Sequence, residues 1–569
     1  MNKREDIKTL RHSAAHLVAH AVMELYPKTQ LTIGPATETG FFYDYLPETN
    51  FKEADIPTIA EKMQEIVKRN LALTHRLIPK AEARALYKNN PFKLELIDGL
   101  DGETVGLAEQ GEFYDLCRGD HVASTGELSH FKLTGISGSY WRADREGTAL
   151  QRISGVVFSS HEELLAHEQR MEDAQRYDHR RLGKQMDLFS FHDEGVGFPF
   201  FHPKGKVILN ELQGFMRTSL QHAGYKEIET PMMLSDELWR RSGHYEFYKN
   251  NMYFSVVENK NYAIKPMNCP GSILIYKERP RSYRELPLRL SEFGKVHRHE
   301  LSGVLHGLFR VRAFTQDDAH IYCPLELVEQ EILSNINILM KVMKKCGFDS
   351  IKKIGISTRP ENAMGDLTLW EKATDALKNA LDKAGLPYHI KEGEGAFYGP
   401  KIEFIIQDSM EREWQCGTIQ VDFFQPENFD LSYVSAGGEL KRPVIIHQAL
   451  YGSLERFLGV LLEHHKGTLP FWLAPLQAKI LTISCDQKPY AQTVLDTLKK
   501  ANIRVELDDS SDTLSGQIKD AQEKRIPWMI VIGKKEASLN TVTLRLLDGS
   551  QEQGISVDEL LKKSAKLTE

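Results

Sequence analysis

The chain has 569 residues, of which 41% are hydrophobic and 27% charged, and its six cysteines are irregularly spaced. This composition is that of a globular protein with several domains and no disulfide framework, so a reducing, cytoplasmic compartment is expected. The N-terminus lacks a signal-peptide core, no run approaches the roughly 18 apolar residues of a membrane span, and the net charge of −7 argues only weakly against a nucleic acid partner.

Residues 1–158 mix helical and strand patterns. The stretch LRHSAAHLVAHAVMELY carries apolar residues at helical spacing, whereas FFYDYL and KLELI are typical of strands. The segment from Gly135 to Gly155 is rich in Gly, Ser and Thr and predicts turns between short strands. We therefore expect a small N-terminal α/β domain.

Two pairs of potential ligands lie in this first region. His12 and His16 are four residues apart on the predicted helix, so their side chains point the same way. Cys117 and His121 in YDLCRGDHV have the same spacing. From the residues alone, HxxxH together with CxxxH fits a zinc site about as well as an ordinary structural role.

Residues 159–186 are charged and helical in pattern. Ser159 or Ser160 is a plausible N-cap, with Glu162 or Glu163 in the capping-box position. A polar helix of this length predicts a connector between domains.

The most informative stretch is 297–323, HRHELSGVLHGLFRVRAFTQDDAHIYC. Planar guanidinium groups donate paired hydrogen bonds to phosphate oxygens, and a lone aromatic ring suits a base. A solvated basic hairpin is the alternative, but Gly303 and Gly307 break the run into a loop and arginine is used almost without lysine. The segment therefore predicts a nucleoside triphosphate site. Its polar and aromatic side chains are Arg298, Glu300, Arg310, Arg312, Phe314, Gln316, Asp318 and His320.

Three residues far apart in sequence could form a metal site. They are Cys269 in KPMNCPGS, His320 in DDAHIY and His447 in VIIHQALYGS. Their spacing alone does not establish this, because a single Cys or His in an apolar segment is more often a core residue than a ligand.

The C-terminal part begins with LPFWLAP (469–475), whose two prolines predict a linker. Beyond it, KILTISC, IRVELD, WMIVIG and TVTLRLL are typical of strands, and AQTVLDTLKKAN and LSGQIKDAQEKR of helices. This alternation predicts a small α/β domain with mostly parallel strands.

The segment 297–323 closely resembles motif 2 of the class II aminoacyl-tRNA synthetases, and LHGLFRVRAFTQDDAHIYC is similar to the threonyl-tRNA synthetases in particular. YGSLERF (451–457) resembles motif 3 and HAGYKEIETPMM (222–233) motif 1. The resemblance covers nearly the whole chain and implies an α+β multidomain fold. Its parts are an N-terminal α/β editing domain at 1–158, a helical connector at 159–186, a class II antiparallel-sheet catalytic domain at 187–470 and an α/β anticodon-binding domain at 471–569.

The resemblance implies ATP-dependent ligation of L-threonine to tRNA(Thr) through a threonyl-adenylate, with Mg2+ bound to ATP. Arg298 would bridge the α-phosphate, and Arg310 and Arg456 would bind the β/γ end. Glu300 would recognise the adenine amino group and Phe314 would stack on the ring. Fixed charges of this kind stabilise negative charge that develops during the reaction. Motif 1 implies a homodimer with Pro231 at the subunit contact.

The resemblance also makes Cys269, His320 and His447 ligands of one zinc ion (Zn2+) per subunit, with an open coordination position. An apolar pocket separates threonine from isosteric valine by only about a hundredfold, whereas a metal that binds the amino and hydroxyl groups rejects valine. His244 would help to deprotonate the tRNA ribose, although a structural surface histidine fits nearly as well. The implied pocket around the metal comprises Met267, Gln316, Asp318, Tyr398, Lys401, Gln415 and Gln420, of which Gln316 and Lys401 would take part in catalysis.

Serine presents the same donors as threonine, so a second, hydrolytic site is required. In the family resembled, His12, His16, Cys117 and His121 form that editing site, and Lys93 and Asp115 match further positions of it. We do not assume a metal there. The family commonly has proline between Gly119 and His121, where this chain has Asp120, which puts the editing efficiency in doubt.

Two further features depart from the family. Bacterial relatives usually begin with a small ubiquitin-like domain that is missing here, either naturally or by truncation. Glu536 and Arg545 match anticodon-reading positions, yet Leu546 and Leu547 stand where relatives often have polar residues. Base contacts carry specificity and phosphate contacts carry affinity, so tRNA affinity is expected to depend on other surfaces.

Two other functions compete with this interpretation. Another class II ligase, of the seryl or prolyl type, would not need the Cys269, His320 and His447 set. A non-catalytic regulatory paralogue would be favoured by the loss of a motif arginine, but Arg298 and Arg456 are both present.

Overall fold

A computed structural model describes residues 3–144, 146–361, 363–408 and 410–568 of the chain, with the backbone alone at 3–5. The chain divides into two compact units, the first ending at Glu172 and the second beginning at Asp173. Among the residues described, no helix has both the length and the apolar character needed to cross a membrane.

The first unit combines helices with two antiparallel sheets. Its helices are α1 (Lys3–Leu25), α2 (Ile56–Arg69), α3 (Lys80–Leu86), α4 (Pro91–Asp98) and α5 (His161–Arg176), the last of which runs across the boundary. Its strands are β1 (Gln30–Leu31), β2 (Phe41–Leu46), β3 (Leu73–Pro79), β4 (Thr104–Gln110), β5 (Phe113–Leu116), β6 (His130–Tyr140) and β7 (Ala149–Phe158). The sheet orders are β1-β2-β7-β6 and β3-β4-β5.

The main core of this unit lies between helices α1 and α2 and the four-stranded sheet. Leu17 of α1, Ile59 of α2 and Tyr43 of β2 belong to one fully buried cluster. The helix and the strand FFYDYL predicted from the sequence are both confirmed. The helix α1 thus carries His12 and His16 on a framework fixed by packing.

Two sequence predictions in this unit are wrong. KLELI is part of helix α4, because Pro91 starts the helix and the Asn90 side chain accepts a hydrogen bond from the Lys93 N–H. The segment from Gly135 to Gly155 contains most of two long paired strands, β6 and β7, and not several short ones. Its glycines fit strands here, with one register shift between Leu133 and Gly135.

The connector contains two helices and not one. The predicted cap at the start of α5 is confirmed, since the Ser160 hydroxyl accepts from the Glu163 N–H. Every residue of α5 is at least partly exposed. The second helix is α6 (His179–Gln185), and Asp178 is its N-cap. The backbone of Asp178 is not helical, so it separates the two helices, and its carboxylate accepts a hydrogen bond from the Arg180 N–H.

The second unit contains the largest sheet and the largest hydrophobic core. Its further helices up to residue 464 are α7 (Pro203–His222), α8 (Asp236–Arg241), α9 (His244–Tyr248), α10 (Cys269–Lys277), α11 (Val328–Lys345), α12 (Leu367–Lys383), α13 (Phe424–Asn428) and α14 (Leu454–His464). Its strands are β8 (Phe189–Ser190), β9 (Phe200–Phe201), β10 (Lys226–Glu227), β11 (Met233–Ser235), β12 (Phe254–Val257), β13 (Lys260–Ile264), β14 (Leu288–His297), β15 (Ala313–Cys323), β16 (Lys353–Ser357), β17 (His389–Lys391), β18 (Lys401–Gln407), β19 (Glu413–Asp422), β20 (Tyr433–Val434), β21 (Leu440–Lys441) and β22 (Val444–Ser453).

An eight-stranded sheet of order β10-β14-β15-β22-β19-β18-β16-β17 organises this region. Five neighbouring strands in the middle of this sheet pair antiparallel, in the order β14-β15-β22-β19-β18. A separate sheet of order β11-β13-β12 holds the segment that follows motif 1. The antiparallel centre agrees with the expected class II catalytic fold.

The C-terminal part forms a five-stranded sheet of order β24-β23-β25-β26-β27. Its elements are β23 (Ala478–Thr482), α15 (Lys488–Lys500), β24 (Val505–Leu507), α16 (Leu514–Glu523), β25 (Trp528–Ile532), α17 (Lys534–Leu539), β26 (Val542–Leu546), β27 (Gln551–Ile555) and α18 (Val557–Thr568). The α/β prediction is confirmed, but only β24, β23 and β25 pair parallel. The connections to β26 and β27 are short, which favours antiparallel pairing.

The predicted linker at 469–475 is a packed segment. Trp472 and Leu473 are buried in the core of the large sheet. Phe471 belongs to the C-terminal core and contacts Trp528 with the two rings tilted and their centroids 4.5 Å apart. Its prolines therefore mark a turn in buried chain and not an exposed connection.

Candidate functional sites

The large sheet places four candidate residues in one row. Lys401 of β18 pairs with Gln420 of β19, Gln420 with His447 of β22, and His447 with His320 of β15. Directly opposed residues on neighbouring strands project to the same face. Strand pairing thus brings together side chains that are far apart in the sequence.

Cys269 joins this row from the N-terminus of helix α10. One ligand atom from each of Cys269, His320 and His447 lies within 4.8 Å of the others, and all three residues are buried. The Nε2 atom of His320 is buried without a hydrogen-bond partner, as expected of an atom that awaits a ligand. One thiol and two imidazoles are a donor set that suits zinc.

The surroundings of His447 also fit a metal ligand. Its Nε2 lies 2.8 Å from an Asp422 carboxylate oxygen, which leaves Nδ1 to face the cluster. A carboxylate that holds the second ring nitrogen is the usual support of a metal-bound histidine. Asp422 is fully buried and also accepts the N–H groups of Phe424 and Gln425.

Burial shifts the pKa values of two residues in this cluster. It raises the pKa of the Cys269 thiol well above its usual value and lowers the pKa of His320 well below its own. The centre then holds a thiol and a neutral imidazole, and a bound cation would replace the thiol proton. Burial likewise raises the pKa of Asp318 to about 6, although the Asn268 amide donates to that carboxylate at 3.0 Å.

The predicted pocket residues Tyr398 and Gln415 are also placed near the row. The Tyr398 hydroxyl donates to Gln420 Oε1 at 2.6 Å, and its ring lies 5.3 Å from that of His447. Gln415 is an odd number of residues from Gln420, which would put it on the opposite face of a regular strand. A register shift pairs Gln415 with Ile405 and returns it to the face that carries Lys401.

The predicted ATP residues form a second group at the end of strands β14 and β15. The Arg298 guanidinium lies 5.1 Å from the Phe314 ring, and its Nη2 lies 3.2 Å from the Met267 sulfur. Arg310 pairs with Glu300 at 3.0 Å. Glu300 is thus engaged by an arginine of its own loop.

Arg456 lies in the first turn of helix α14, where the Ser453 hydroxyl accepts its N–H. Its Nε donates to the Phe309 carbonyl at 2.9 Å, and burial lowers its pKa. Gln316 pairs with Ser453 in the register, beside the start of this helix. Motifs 2 and 3 are therefore in contact, through strand pairing and through the hydrogen bond from the Arg456 side chain to the Phe309 main chain.

Asp317 is a polar residue of this region that the sequence did not single out. Its buried carboxylate accepts the N–H groups of Leu450, Tyr451 and Gly452 at 2.8 to 2.9 Å. Burial raises its pKa to about 7 despite these three donors. It fixes the chain just before helix α14, and only its place within the QDDAH sequence (316–320) could have suggested it.

His244 is fully buried, so the surface alternative is wrong. Its Nδ1 lies 2.8 Å from the Ser242 hydroxyl and its Nε2 3.7 Å from the Cys269 sulfur. Burial lowers its pKa to about 3. The residue lies beside the candidate metal centre.

The four editing candidates converge in the first unit. The Cys117 sulfur lies 3.0 Å from His121 Nε2 and 3.5 Å from His12 Nε2. The His12, His16 and His121 rings have centroids 4.6 to 5.1 Å apart. Helix α1 and the loop after β5 together form this site.

A buried ionic chain runs behind the quartet. Lys93 forms an ion pair with Asp115, whose other oxygen lies 3.3 Å from His16 Nδ1. Burial opposes charge on Asp115, but Lys93 and His16 outweigh it, so the pKa lies below its usual range. Burial also opposes charge on His16, but Asp115 and Cys117 outweigh it and raise the pKa to about 9.

Cys117 shows the same balance. Burial raises the pKa of the thiol, but hydrogen bonds from the histidines His12, His121 and His16 outweigh this and lower it to about 3. Both shifts favour a thiolate at Cys117 beside an imidazolium at His16.

Two residues of this site escaped the sequence reading. The Tyr43 hydroxyl donates to Asp115 at 2.6 Å, and the Ser13 hydroxyl lies 3.2 Å from His121 Nδ1. Tyr43 lies in the predicted strand FFYDYL and Ser13 lies between the two histidines of helix α1, and no motif marks either one.

Asp120 has a left-handed backbone with φ of 60°. Proline is fixed near φ −65° and could not adopt this conformation. The Asp120 carbonyl lies 3.3 Å from His12 Nδ1, and its side chain is exposed. In this loop the main-chain carbonyl of Asp120 therefore faces the site, and its carboxylate does not.

The two anticodon candidates lie on neighbouring elements. The Glu536 carboxylate accepts from the Gly533 N–H and the Thr543 hydroxyl, both at 3.0 Å. Arg545 Nε is buried without a hydrogen-bond partner. Leu546 and Leu547 pack against hydrophobic clusters, which accounts for apolar residues at these positions.

Comparison with known families matches three segments of the chain. Residues 248–465 match the tRNA synthetase class II core domain (G, H, P, S and T). Residues 473–567 match an anticodon binding domain. Residues 105–154 match the threonyl and alanyl tRNA synthetase second additional domain.

Whole-chain relatives agree with these matches. The threonine–tRNA ligase of Clostridium tetani (strain Massachusetts / E88) is 50% identical over 562 residues, which cover 98% of this chain and 88% of the relative. That of Carboxydothermus hydrogenoformans is 49% identical over 94% of this chain and 84% of the relative. The crystal structure of the RNA binding domain of threonyl-tRNA synthetase from Cryptosporidium parvum Iowa II is 42% identical, with a TM-score of 0.66, over 68% of this chain and 98% of that chain.

Proposed function

The chain belongs to the threonine–tRNA ligase family, and from this premise we propose how its own residues divide the work of the enzyme. The enzyme joins L-threonine to tRNA(Thr) with ATP through an adenylate, and its editing domain hydrolyses mischarged Ser-tRNA(Thr). The seryl, prolyl and non-catalytic alternatives are not favoured. We place the editing domain at 1–158, the connector at 159–186, the catalytic domain at 187–470 and the anticodon-binding domain at 471–569.

The threonine pocket is proposed at the row of strand residues on the large sheet. Cys269, His320 and His447 would hold one zinc ion, and the unpartnered Nε2 of His320 is the observation that supports this most strongly. Zinc bound there would supply an open position for the amino and hydroxyl groups of threonine, which valine cannot satisfy. Met267, Asp318, Tyr398, Gln415 and Gln420 would bind the rest of the amino acid.

Adenylate formation is proposed at the adjacent arginine group, with ATP bound as its Mg2+ complex. Arg298 would bind the α-phosphate, and Arg310 and Arg456 the β/γ end, where fixed charges stabilise the transition state. Arg310 now pairs with Glu300, so ATP would exchange that partner and free Glu300 for the adenine amino group. Phe314 would stack on adenine, and Gln316 and Lys401 would orient the threonine carboxylate. His244, beside Cys269, would take part in proton transfer from the tRNA ribose.

Editing is proposed at the quartet of the first unit, with no metal assumed there. His12 and His121 would hold the attacking water beside Cys117. The Lys93–Asp115–His16 chain would keep the charges of the site fixed. Glu536 and Arg545 are the proposed anticodon contacts.

We propose a cytoplasmic homodimer. All six cysteines are free, which suits a reducing compartment. Met232 and Met233, the last two residues of the motif 1 segment, are each 45% exposed, and all four residues of β12, in the sheet that begins at Met233, are exposed. Exposed apolar side chains in one region indicate a protein interface.

Pyrophosphate exchange measured with each of the twenty amino acids tests the activity. We expect exchange with threonine, weaker exchange with serine and none with valine. Equal exchange with valine would contradict the proposed pocket, and exchange with proline alone would contradict the function. Light scattering at micromolar concentration tests the dimer, which a mass of 64.9 kDa for the particle would exclude.

A further inference from the structure

A buried histidine of helix α6 contacts the loop that carries the ATP arginines. His179 is fully buried, and its Nδ1 lies 2.6 Å from a Glu463 carboxylate oxygen. Its Nε2 accepts the main-chain N–H of Leu308 at 2.9 Å. Because Leu308 donates to Nε2, that nitrogen carries no proton, and the ring proton lies on Nδ1 and is donated to Glu463.

Glu463 is itself held in place from two further directions. One oxygen also accepts the His179 main-chain N–H at 2.9 Å, and the other accepts from Arg412. Arg412 is fixed in turn by Asp408 at 2.7 Å. Asp178, His179 and Glu463 have donor types that could bind a metal, but both ring nitrogens of His179 are already used, so the cluster is a hydrogen-bonded support and not a metal site.

The contact with Leu308 fixes a tight turn. His306 and Arg310 pair across it, and Gly307 has φ of 47°. A Cβ atom at Gly307 would overlap Nε2 of His179, so the close approach itself requires glycine. The His179 ring also lies 4.1 Å from the Phe309 ring.

The same turn holds both distal arginines. Arg456 Nε donates to the carbonyl of Phe309, the residue after Leu308. Arg310 follows immediately and pairs with Glu300. One histidine therefore fixes, through two consecutive main-chain groups, the places of two arginines that come from motifs 2 and 3.

We propose that His179 is a positioning residue for ATP, which holds the turn 306–310 so that Arg310 and Arg456 meet the β/γ phosphates. The proposal rests on the function proposed for these arginines. His179 lies outside residues 248–465, the segment that matches the class II core, so the support of the ATP site comes from the connector. Burial lowers the pKa of His179 to about 4, in agreement with a neutral ring.

Kinetics of pyrophosphate exchange test this with three variants. His179→Phe keeps the ring contact with Phe309 but loses both hydrogen bonds, and we expect the KM for ATP to rise about tenfold or more while the KM for threonine changes less than about twofold. His179→Gln offers one N–H and one oxygen at a similar separation, so it should restore the KM for ATP to within about threefold of wild type. His465→Phe is the matched control, because His465 bonds a main-chain carbonyl of Cys346 at 2.9 Å away from this loop, and it should leave both KM values unchanged.

An unchanged KM for ATP in His179→Phe would overturn the proposal, as would an equal rise in the KM values for ATP and threonine. If His179→Phe does not fold, Glu463→Gln weakens the same support without changing its shape, and a normal KM for ATP in that variant would also overturn it. Arg456→Ala distinguishes a failure of the proposed function from a failure of the inference about His179. If its exchange is normal, the proposed function of the arginines fails; if it is impaired while His179→Phe is normal, only the inference about His179 fails.

Discussion

Among the residues described, two clusters of Cys and His side chains have the same kinds of donor atom in different surroundings. In the first unit, the charged pair Lys93–Asp115, to which the Tyr43 hydroxyl donates, lies behind the cluster. Hydrogen bonds from its histidines outweigh burial and lower the pKa of Cys117 to about 3. In the second unit, burial raises the pKa of Cys269 and leaves His320 Nε2 without a partner. The comparison shows that the surroundings of a buried thiol set the direction of its pKa shift, which is downward for Cys117 and upward for Cys269.

The largest expected effect concerns the motif arginines of the second unit, whose loss should impair threonine activation and leave editing by the first unit intact. Arg298→Ala or Arg456→Ala should each cut threonine-dependent pyrophosphate exchange by about 10²–10³, because each removes one fixed charge from the transition state. Deacylation of preformed Ser-tRNA(Thr) by the same preparations should stay normal and serves as the control. Near-normal exchange would show that these arginines are structural.

A smaller effect is expected at the first cluster, where substitutions should impair editing and leave threonine activation intact. His12→Ala combined with His16→Ala should slow deacylation of Ser-tRNA(Thr) by about 10² or more, because the groups that hold the water and balance the thiolate are lost. Threonine charging should be unaffected. His20→Ala, which removes a histidine stacked on Phe113 one turn further along α1, is the matched control. Equally fast deacylation by the double variant and the wild type would exclude these histidines from editing.

The charge pair in the first cluster also predicts an effect of pH on stability. His16 has its pKa raised from 6.5 to about 9, so its stabilising contribution is complete below pH 6.5 and is lost as the pH rises to about 9. Cys117 has its pKa lowered from 9.0 to about 3, so its contribution grows with pH up to 9.0. The two slopes cancel between pH 6.5 and 9.

Chemical denaturation of the wild type and of Cys117→Ser checks this cancellation. The contribution of the wild-type pair should be flat over this range, whereas the variant should lose stability relative to wild type as the pH rises, because only the His16 contribution remains. Parallel pH profiles of the two proteins would show that Cys117 and His16 do not carry opposite charges.

Motifs predicted much of the site, and local patterns predicted much of the fold. The family and the α/β character of the C-terminal part were confirmed. KLELI was predicted wrongly because Asn90 and Pro91 start a helix there, and such caps outweigh a short apolar pattern. The linker 469–475 was predicted wrongly because its apolar side chains pack against distant residues.

No local pattern predicts which candidate residues lie side by side, because that depends on strand pairing. The row of Lys401, Gln420, His447 and His320 exists only through strand register. Tyr43 contacts Asp115, which lies 72 positions further along the chain, and no motif connects the two. Residues of this kind act through main-chain or buried contacts, and these become visible only in the folded chain.

The most direct test of the central difference is the zinc content of the wild type, Cys269→Ala and Cys117→Ala, measured per chain by elemental analysis. Cys323→Ala, which removes another buried thiol from the large sheet, is the control. We expect one zinc per chain in the wild type, in Cys117→Ala and in Cys323→Ala. In Cys269→Ala we expect both the zinc and threonine activation to be lost. Zinc that persists in Cys269→Ala but is lost in Cys117→Ala would contradict the account, because it would place the metal in the other cluster.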